Sequence, residues 1–136
     1  IFIKKDNVGE NIYDAFKLGR AAIVAEDYSL RDEQAAIIKQ KLDMIIVYKA
    51  IDYLRGAAAE LDDEATDMAD YFHGLSEGYG FILSLQFTYT VDGTPYFSNA
   101  EVNEMLAILE AGNGFWDRTD AELIDMADAI NAVTGL

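Results

Sequence analysis

The chain contains no cysteine, one proline, one histidine and only ten lysines and arginines. Each scarcity excludes something. Without cysteine there are no disulfides, no thiolate nucleophile and no cysteine-ligated metal. With Pro95 as the single proline, nearly the whole backbone is free to be helical. Ten basic residues against 25 acidic ones give a formal charge of −15, a field that repels phosphate backbones and anionic lipid. A nucleic-acid or membrane-surface role is therefore disfavoured, and the surplus of carboxylates reads first as solubility. No apolar run approaches the roughly 20 residues needed to span a bilayer.

What is present is enough for one folded domain. Hydrophobic residues make up 51% of the 136 positions, which rules out a disordered chain. The sequence opens at Ile1 without methionine or signal peptide, so a leader or a larger piece is expected to have been removed.

Period and cap chemistry predict an all-α bundle of about five helices, one of them long and central. Residues 1–10 read as an extended lead-in stopped by Gly9. Asn11 is the expected cap of a first helix from Ile12 to about Asp27, with Ile12, Phe16, Ala22 and Ile23 on its apolar face. Ser29 is the expected cap of the long helix, about Leu30 to Leu61, some 48 Å in length. Its apolar residues fall in two registers. Ala35, Ile38, Leu42 and Ile45 form one; Val47, Ile51, Leu54, Ala58 and Leu61 form the other, so the helix is expected to meet more than one neighbour. Covering that surface calls for another chain, either a preceding N-terminal half or a second copy.

Asp62 or Asp63 is the expected cap of a third helix reaching about Tyr89, with Met68, Phe72, Leu75, Tyr79, Ile82 and Gln86 as its stripe. Beyond Gly80 it reads as apolar all round and hence buried on most sides. Asp92-Gly93-Thr94-Pro95 is a turn. Ser98-Asn99-Ala100-Glu101 and Thr119-Asp120-Ala121-Glu122 are capping boxes that open two shorter helices. The fourth carries Val102, Met105, Leu106 and Leu109; the fifth carries Leu123, Met126, Ile130 and Val133. Between them, Phe115 and Trp116 are expected to plug the bundle end.

One segment is dense in chemistry: Tyr71-Phe72-His73-Gly74-Leu75-Ser76-Glu77-Gly78-Tyr79-Gly80. Residues 74–78 match the G-x-S-x-G of a nucleophile elbow, but that motif needs a strand before the serine. Here both flanks are helical, and Ser76 is not expected to be a nucleophile. A second reading is a metal or proton-handling site. His73 and Glu77 are four apart on one helix face, and Thr66, Asp70 and Ser84 lie on the same polar stripe. An imidazole with carboxylates can hold a divalent cation. The third reading is packing, in which Gly74 and Gly78 let another helix approach closely. Three glycines in seven residues would cost roughly 2–3 kcal/mol of helix propensity, which a close crossing would offset. Arg20, amid small and apolar neighbours, either pairs with Glu77 or Asp70 in the interior or lies solvated along an apolar face.

Leu18-Gly19-Arg20-Ala21-Ala22-Ile23, Arg31-Asp32-Glu33, the stretch from His73 to Ile82, and Gly114-Phe115-Trp116-Asp117 occur in this order. Together, over about residues 10–133, they resemble the C-terminal half of the bacterial domain-of-unknown-function family 4856. Members of that family are similar to imelysin-type helical proteins of the bacterial envelope, which are associated with iron uptake. The resemblance implies an all-helical fold and a periplasmic, secreted or lipid-anchored setting. It also implies that residues 1–136 are the C-terminal part of a larger domain whose preceding half has its own histidine- and acid-bearing helix. Imelysin-like proteins carry a G-x-H-x-x-E pattern proposed to be metal-related. Here the spacing is His73-x-x-x-Glu77, and position 71 is Tyr where that pattern has Gly. The function expected from residues and resemblance together is a non-enzymatic envelope binding or accessory protein linked to iron or another divalent metal. The alternatives are a metal-dependent enzyme whose site is shared with the preceding half, and a structural subunit of a surface assembly.

Overall fold

A computed structural model of the chain describes residues 7–62 and 67–135. It is an all-α helical bundle. Among the described residues there are five α-helices: α1 (Val8–Val24), α2 (Tyr28–Asp62), α3 (Met68–Ser84), α4 (Asn99–Glu110) and α5 (Asp120–Thr134). Short 3-10 turns, Leu85–Phe87 and Gly114–Asp117, join α3, α4 and α5. The backbone contacts divide the chain into two units, residues 1–45 with 89–94, and residues 46–88 with 95–136. That division falls at Ile45–Ile46, where the apolar register of the long helix shifts.

The first unit holds α1 and the first part of α2. The extended lead-in expected over residues 1–10 gives way to helix by Val8; residues 1–6 lie outside the described residues. Asn7, in the left-handed region at φ 49°, precedes the helix, so Asn11 is not its cap. At the other end, Glu26 takes φ 58°, its N–H donates to Ile23 O, and the Asp27 N–H reaches Ala22 O at 2.9 Å. This is a Schellman closure with glutamate in the glycine position. Asp27 then accepts the Leu30 N–H at 3.0 Å and caps α2, displacing Ser29 from the expected role.

The expected inward face of α1 is only partly the one buried: Ala22 is buried and Ile12 half-buried, but the two largest side chains turn outward. Val8, Ala15 and Ala22 are buried, and Gly19 lies so close to Gln34 that a Cβ there would sit 3.3 Å from Gln34 Cβ. Phe16, 60% exposed, and Ile23 face solvent. The reason is the close approach: small side chains let the helices meet, and the large ones have no room on that side. The first register of α2 is covered incompletely, with Ile38 and Ile45 half-buried but Ala35 and Leu42 exposed.

The second unit holds the rest of α2 with α3, α4 and α5. Here the second register behaves as expected. Val47, Ile51, Leu54 and Ala58 are buried, with Leu61 packed against them. Each of the larger side chains, Val47, Ile51 and Leu54, contributes about 1.5–3 kcal/mol on withdrawal from water. The core continues through Tyr71, Leu75, Ile82, Leu85, Val102, Leu106, Leu109, Leu123, Met126 and Ile130.

Several details depart from the sequence pattern. Asp67 caps α3 by accepting the Ala69 N–H at 2.9 Å, not Asp62; Asp63 and Thr66 lie outside the described residues. Tyr71 is buried in place of Met68, which is exposed. α3 ends at Ser84, and Leu83 and Phe87 are exposed, so its C-terminal half is not enclosed on most sides. Val133 is also exposed. Both capping boxes form: Ser98 and Glu101 satisfy each other's orphan N–H groups, as do Thr119 and Glu122.

The link from α4 to α5 is tied by two side chains that composition does not single out. The Asp117 carboxylate accepts the Asn113 backbone N–H at 2.8 Å and the Asn113 side-chain amide. Arg118, its side chain only 6% exposed, donates to Ala111 O at 3.0 Å and Gly114 O at 3.3 Å and pairs with Glu122. The Asn113 N–H bond holds the Asp117 carboxyl below its ordinary range. A carboxylate lowered in this way adds stability above the unfolded value near 3.9 and loses it as pH falls through the folded one. We expect acid unfolding to begin below about pH 4 at this link. In Asp117→Asn, the pH-dependent part of the loss should shrink when stability is followed by urea titration at pH 3–6. An unchanged pH profile would show that Asp117 carries none of it.

Candidate functional site

The candidate site is built where α3 crosses α2 in the second unit. Gly78 is buried, and a Cβ on it would lie 3.0 Å from Tyr53 Cβ, closer than most real side chains stand. That absence of a side chain lets the helices approach, and Tyr53 stacks on Phe81 with ring centroids 5.5 Å apart and planes at 18°. The approach brings the Tyr53 hydroxyl onto Glu77 Oε2, to which it donates. Glu77 Oε1 in turn stands 2.9 Å from His73 Nε2. One carboxylate thus bridges a phenol and an imidazole.

The cluster is open to water. The His73 side chain is 76% exposed and that of Glu77 41%. A contact this exposed does little to hold the fold. The hydrogen bond to Glu77 raises the Tyr53 phenol above its ordinary value by favouring the protonated form. Its chemistry is that of two donor atoms, an imidazole nitrogen and a carboxylate oxygen, on one face of one helix. Catalytic zinc sites take three protein ligands and structural sites four. Among the described residues no group of three His, Cys, Asp or Glu side chains stands close enough to hold a metal ion. The pair offers part of a coordination sphere.

The other residues expected near this site divide into three fates. Ser76 is exposed, and its hydroxyl donates to His73 O at 2.8 Å, a bond back along an unbroken helix. Ser84 does the same to Gly80 O. Asp70 is exposed and lines an adjoining cleft of about 250 Å³ with Asp52, Glu60 and Gly74, sharing Tyr53 with the cluster. A Cβ added to Gly74, expected at the close crossing, would meet no other helix within 4 Å, and neither would one on Gly80. The crossing therefore rests on Gly78, and Gly74 opens onto the cleft. Arg20 is exposed on α1, so no buried counter-charge is required.

Trp116 corrects an expectation. It is 70% exposed, its ring resting against Phe72 at 4.3 Å, and it does not plug the bundle. Phe115 does that work: it packs on the core, and its carbonyl accepts the buried Tyr71 hydroxyl at 2.8 Å. The 3-10 turn over Gly114–Asp117 allows one of the two adjacent rings to point inward, and the backbone bond selects Phe115.

Tyr53 is the member of the cluster that sequence reasoning missed. It lies 24 positions before Glu77 on another helix, and only the gap left by Gly78 joins them.

Fold and site together define a helical-bundle domain with an exposed histidine–glutamate–tyrosine cluster at a glycine-permitted helix crossing. The family described as Domain of unknown function (DUF4856) matches residues 4–136, and the chain belongs to that family. No curated protein and no solved structure matches the chain significantly. No helix among the described residues is long and apolar enough to cross a membrane.

Proposed function

We propose that the chain is a non-enzymatic binding or accessory module of the bacterial envelope, linked to the acquisition of iron or another divalent metal. The observation that carries the binding role is the solvent-facing row of Tyr13, Phe16, Ile23 and Val24 on α1. A helix that turns its largest apolar side chains to water has surface suited to another protein chain. A preceding N-terminal half or a separate chain would both supply such a partner. The envelope setting rests on the resemblance to imelysin-type proteins. The metal link rests on that resemblance and on the imidazole and carboxylate of His73 and Glu77.

A second reading draws on the same pair. Two donors on this chain leave the remaining coordination positions to be filled from elsewhere, as in a metal-dependent enzyme whose site is shared with a preceding half.

Calorimetric titration of Zn²⁺, and of Fe²⁺ under anaerobic conditions, into metal-free protein tests the metal link. We expect one weak site that His73→Ala abolishes. Stability should stay within about 0.5 kcal/mol of the parent, because the side chain is exposed. No heat of binding, or binding unchanged in the variant, would remove metal from the reading.

A further inference from the structure

At 100° per residue, Tyr13, Phe16, Lys17, Arg20, Ile23 and Val24 of α1 fall within an arc of about 120°. All six are exposed. The buried residues Val8, Ala15 and Ala22, with Gly19 against Gln34, lie on a different side of the helix. α1 therefore has two faces: a narrow one of small residues that meets α2, and a broad apolar one that is exposed. Arg20 sits at the centre of the broad face, and none of the described ion pairs includes it.

The charges on that face say what fits it. Its two cations, Lys17 and Arg20, are accompanied by no carboxylate within the arc. The acids of α1 lie beyond its edge and are engaged, Asp14 with Lys17 at 3.7 Å and Glu10 with the Asn7 side chain. The described residues 7–45 also carry five Lys and Arg against seven Asp and Glu. This part of the chain is thus close to neutral, although the whole is strongly acidic. An anionic partner approaching α1 is not turned away locally.

We propose that the broad face of α1 docks an amphipathic helix of another protein whose apolar stripe is flanked by carboxylates. Tyr13, Phe16, Ile23 and Val24 supply the area, and Arg20 at its centre sets the partner's sign, with Lys17, shared with Asp14, beside it. A two-fold pairing with a second copy would bring like cations onto one seam, which disfavours it. The inference rests on the binding-module reading and specifies the chemistry of the partner.

The test uses two synthetic 21-residue amphipathic peptides with the same leucine stripe, flanked in one by glutamates and in the other by lysines. Fluorescence anisotropy with the full chain should show the glutamate peptide binding about tenfold tighter, the worth of two exposed charge pairs. The preference should fade with added salt. Phe16→Asp should abolish binding, and Lys17→Glu with Arg20→Glu should reverse the preference, with helix content unchanged by circular dichroism. Equal binding of both peptides, no binding of either, or indifference to these substitutions overturns the proposal. Sedimentation showing a dimer that Phe16→Asp dissociates would assign the face to a second copy. Capture by phosphatidylglycerol vesicles that the same variants abolish would assign it to a lipid surface. Either result overturns it. A failure here leaves the metal titration intact, so the two readings fall separately.

Discussion

Leu75→Ala should lower stability by about 2–5 kcal/mol. Leu75 is fully buried on α3 within the cluster that contains Leu54, Tyr71, Leu106 and Leu123. Truncation removes the transfer energy of three carbons and leaves a cavity that helices held by caps at Ser98 and Thr119 cannot readily close. A protein of this size has a total stability of about 5–15 kcal/mol, so the loss is a large fraction of the whole. Urea denaturation should show a lower midpoint with an unchanged slope, the signature of a weakened fold rather than an altered unfolded state. A loss below about 1 kcal/mol would mean that the core around Leu75 is far looser than described.

Gly78→Leu should be destabilising for the opposite reason. A Cβ alone would stand 3.0 Å from Tyr53 Cβ, and the rest of the side chain would run into α2. The two helices must separate or Tyr53 must leave its place. Overpacking of this kind costs about 1–3 kcal/mol and occasionally more. Gly78→Ala is the informative control, because its gain in helix propensity of about 1 kcal/mol opposes the strain of one close contact. The leucine variant should also release the Tyr53 hydroxyl from Glu77. The hydrogen bond holds that phenol above its ordinary value, so its titration should move down toward about 10. Ultraviolet difference titration of variant against parent reads this directly. A Gly78→Leu protein with parental stability and an unshifted tyrosine would show that α2 and α3 do not rely on the glycine.

Local chemistry was legible in the sequence, and long-range choice was not. The capping boxes at Ser98 and Thr119 and the long helix ending near Asp62 follow from spacing within a few residues, and they stand as expected. So does the second apolar register from Val47 to Leu61, because a continuous stripe leaves a helix one way to turn. The first helix follows its pattern only in part, burying Ala22 and half of Ile12 but turning Phe16 and Ile23 outward. Its apolar residues do form a face, but which side meets the neighbour depends on Gly19 fitting against Gln34, with the small Ala15 and Ala22 buried on that side. Hydropathy weights a large side chain above a small one, whereas a close crossing does the reverse.

The same blindness separates Phe115 from Trp116. Both rings are suited to a core, and only the buried Tyr71 hydroxyl seeking an acceptor selects between their positions. For the candidate site, the i, i+4 pair of His73 and Glu77 was visible as a helical spacing and forms at 2.9 Å. Tyr53 was not visible, because its contribution depends on a glycine on a different helix. Arg118 was hidden similarly, its guanidinium satisfying carbonyls of a link whose path no motif specifies.

The alanines and glycine beneath α1 have a thermodynamic consequence. They bring little apolar area out of water, so α1 is anchored by fewer kilocalories than α3 or α5, whose inner faces carry leucine, isoleucine and tyrosine. Its detachment is then a low-energy excursion, separate from global unfolding. The partner proposed for the outer face of α1 would act on that equilibrium by mass action, binding the docked helix and depleting the detached one. Recognition and the last step of folding would share one free energy, with this helix completed by its partner.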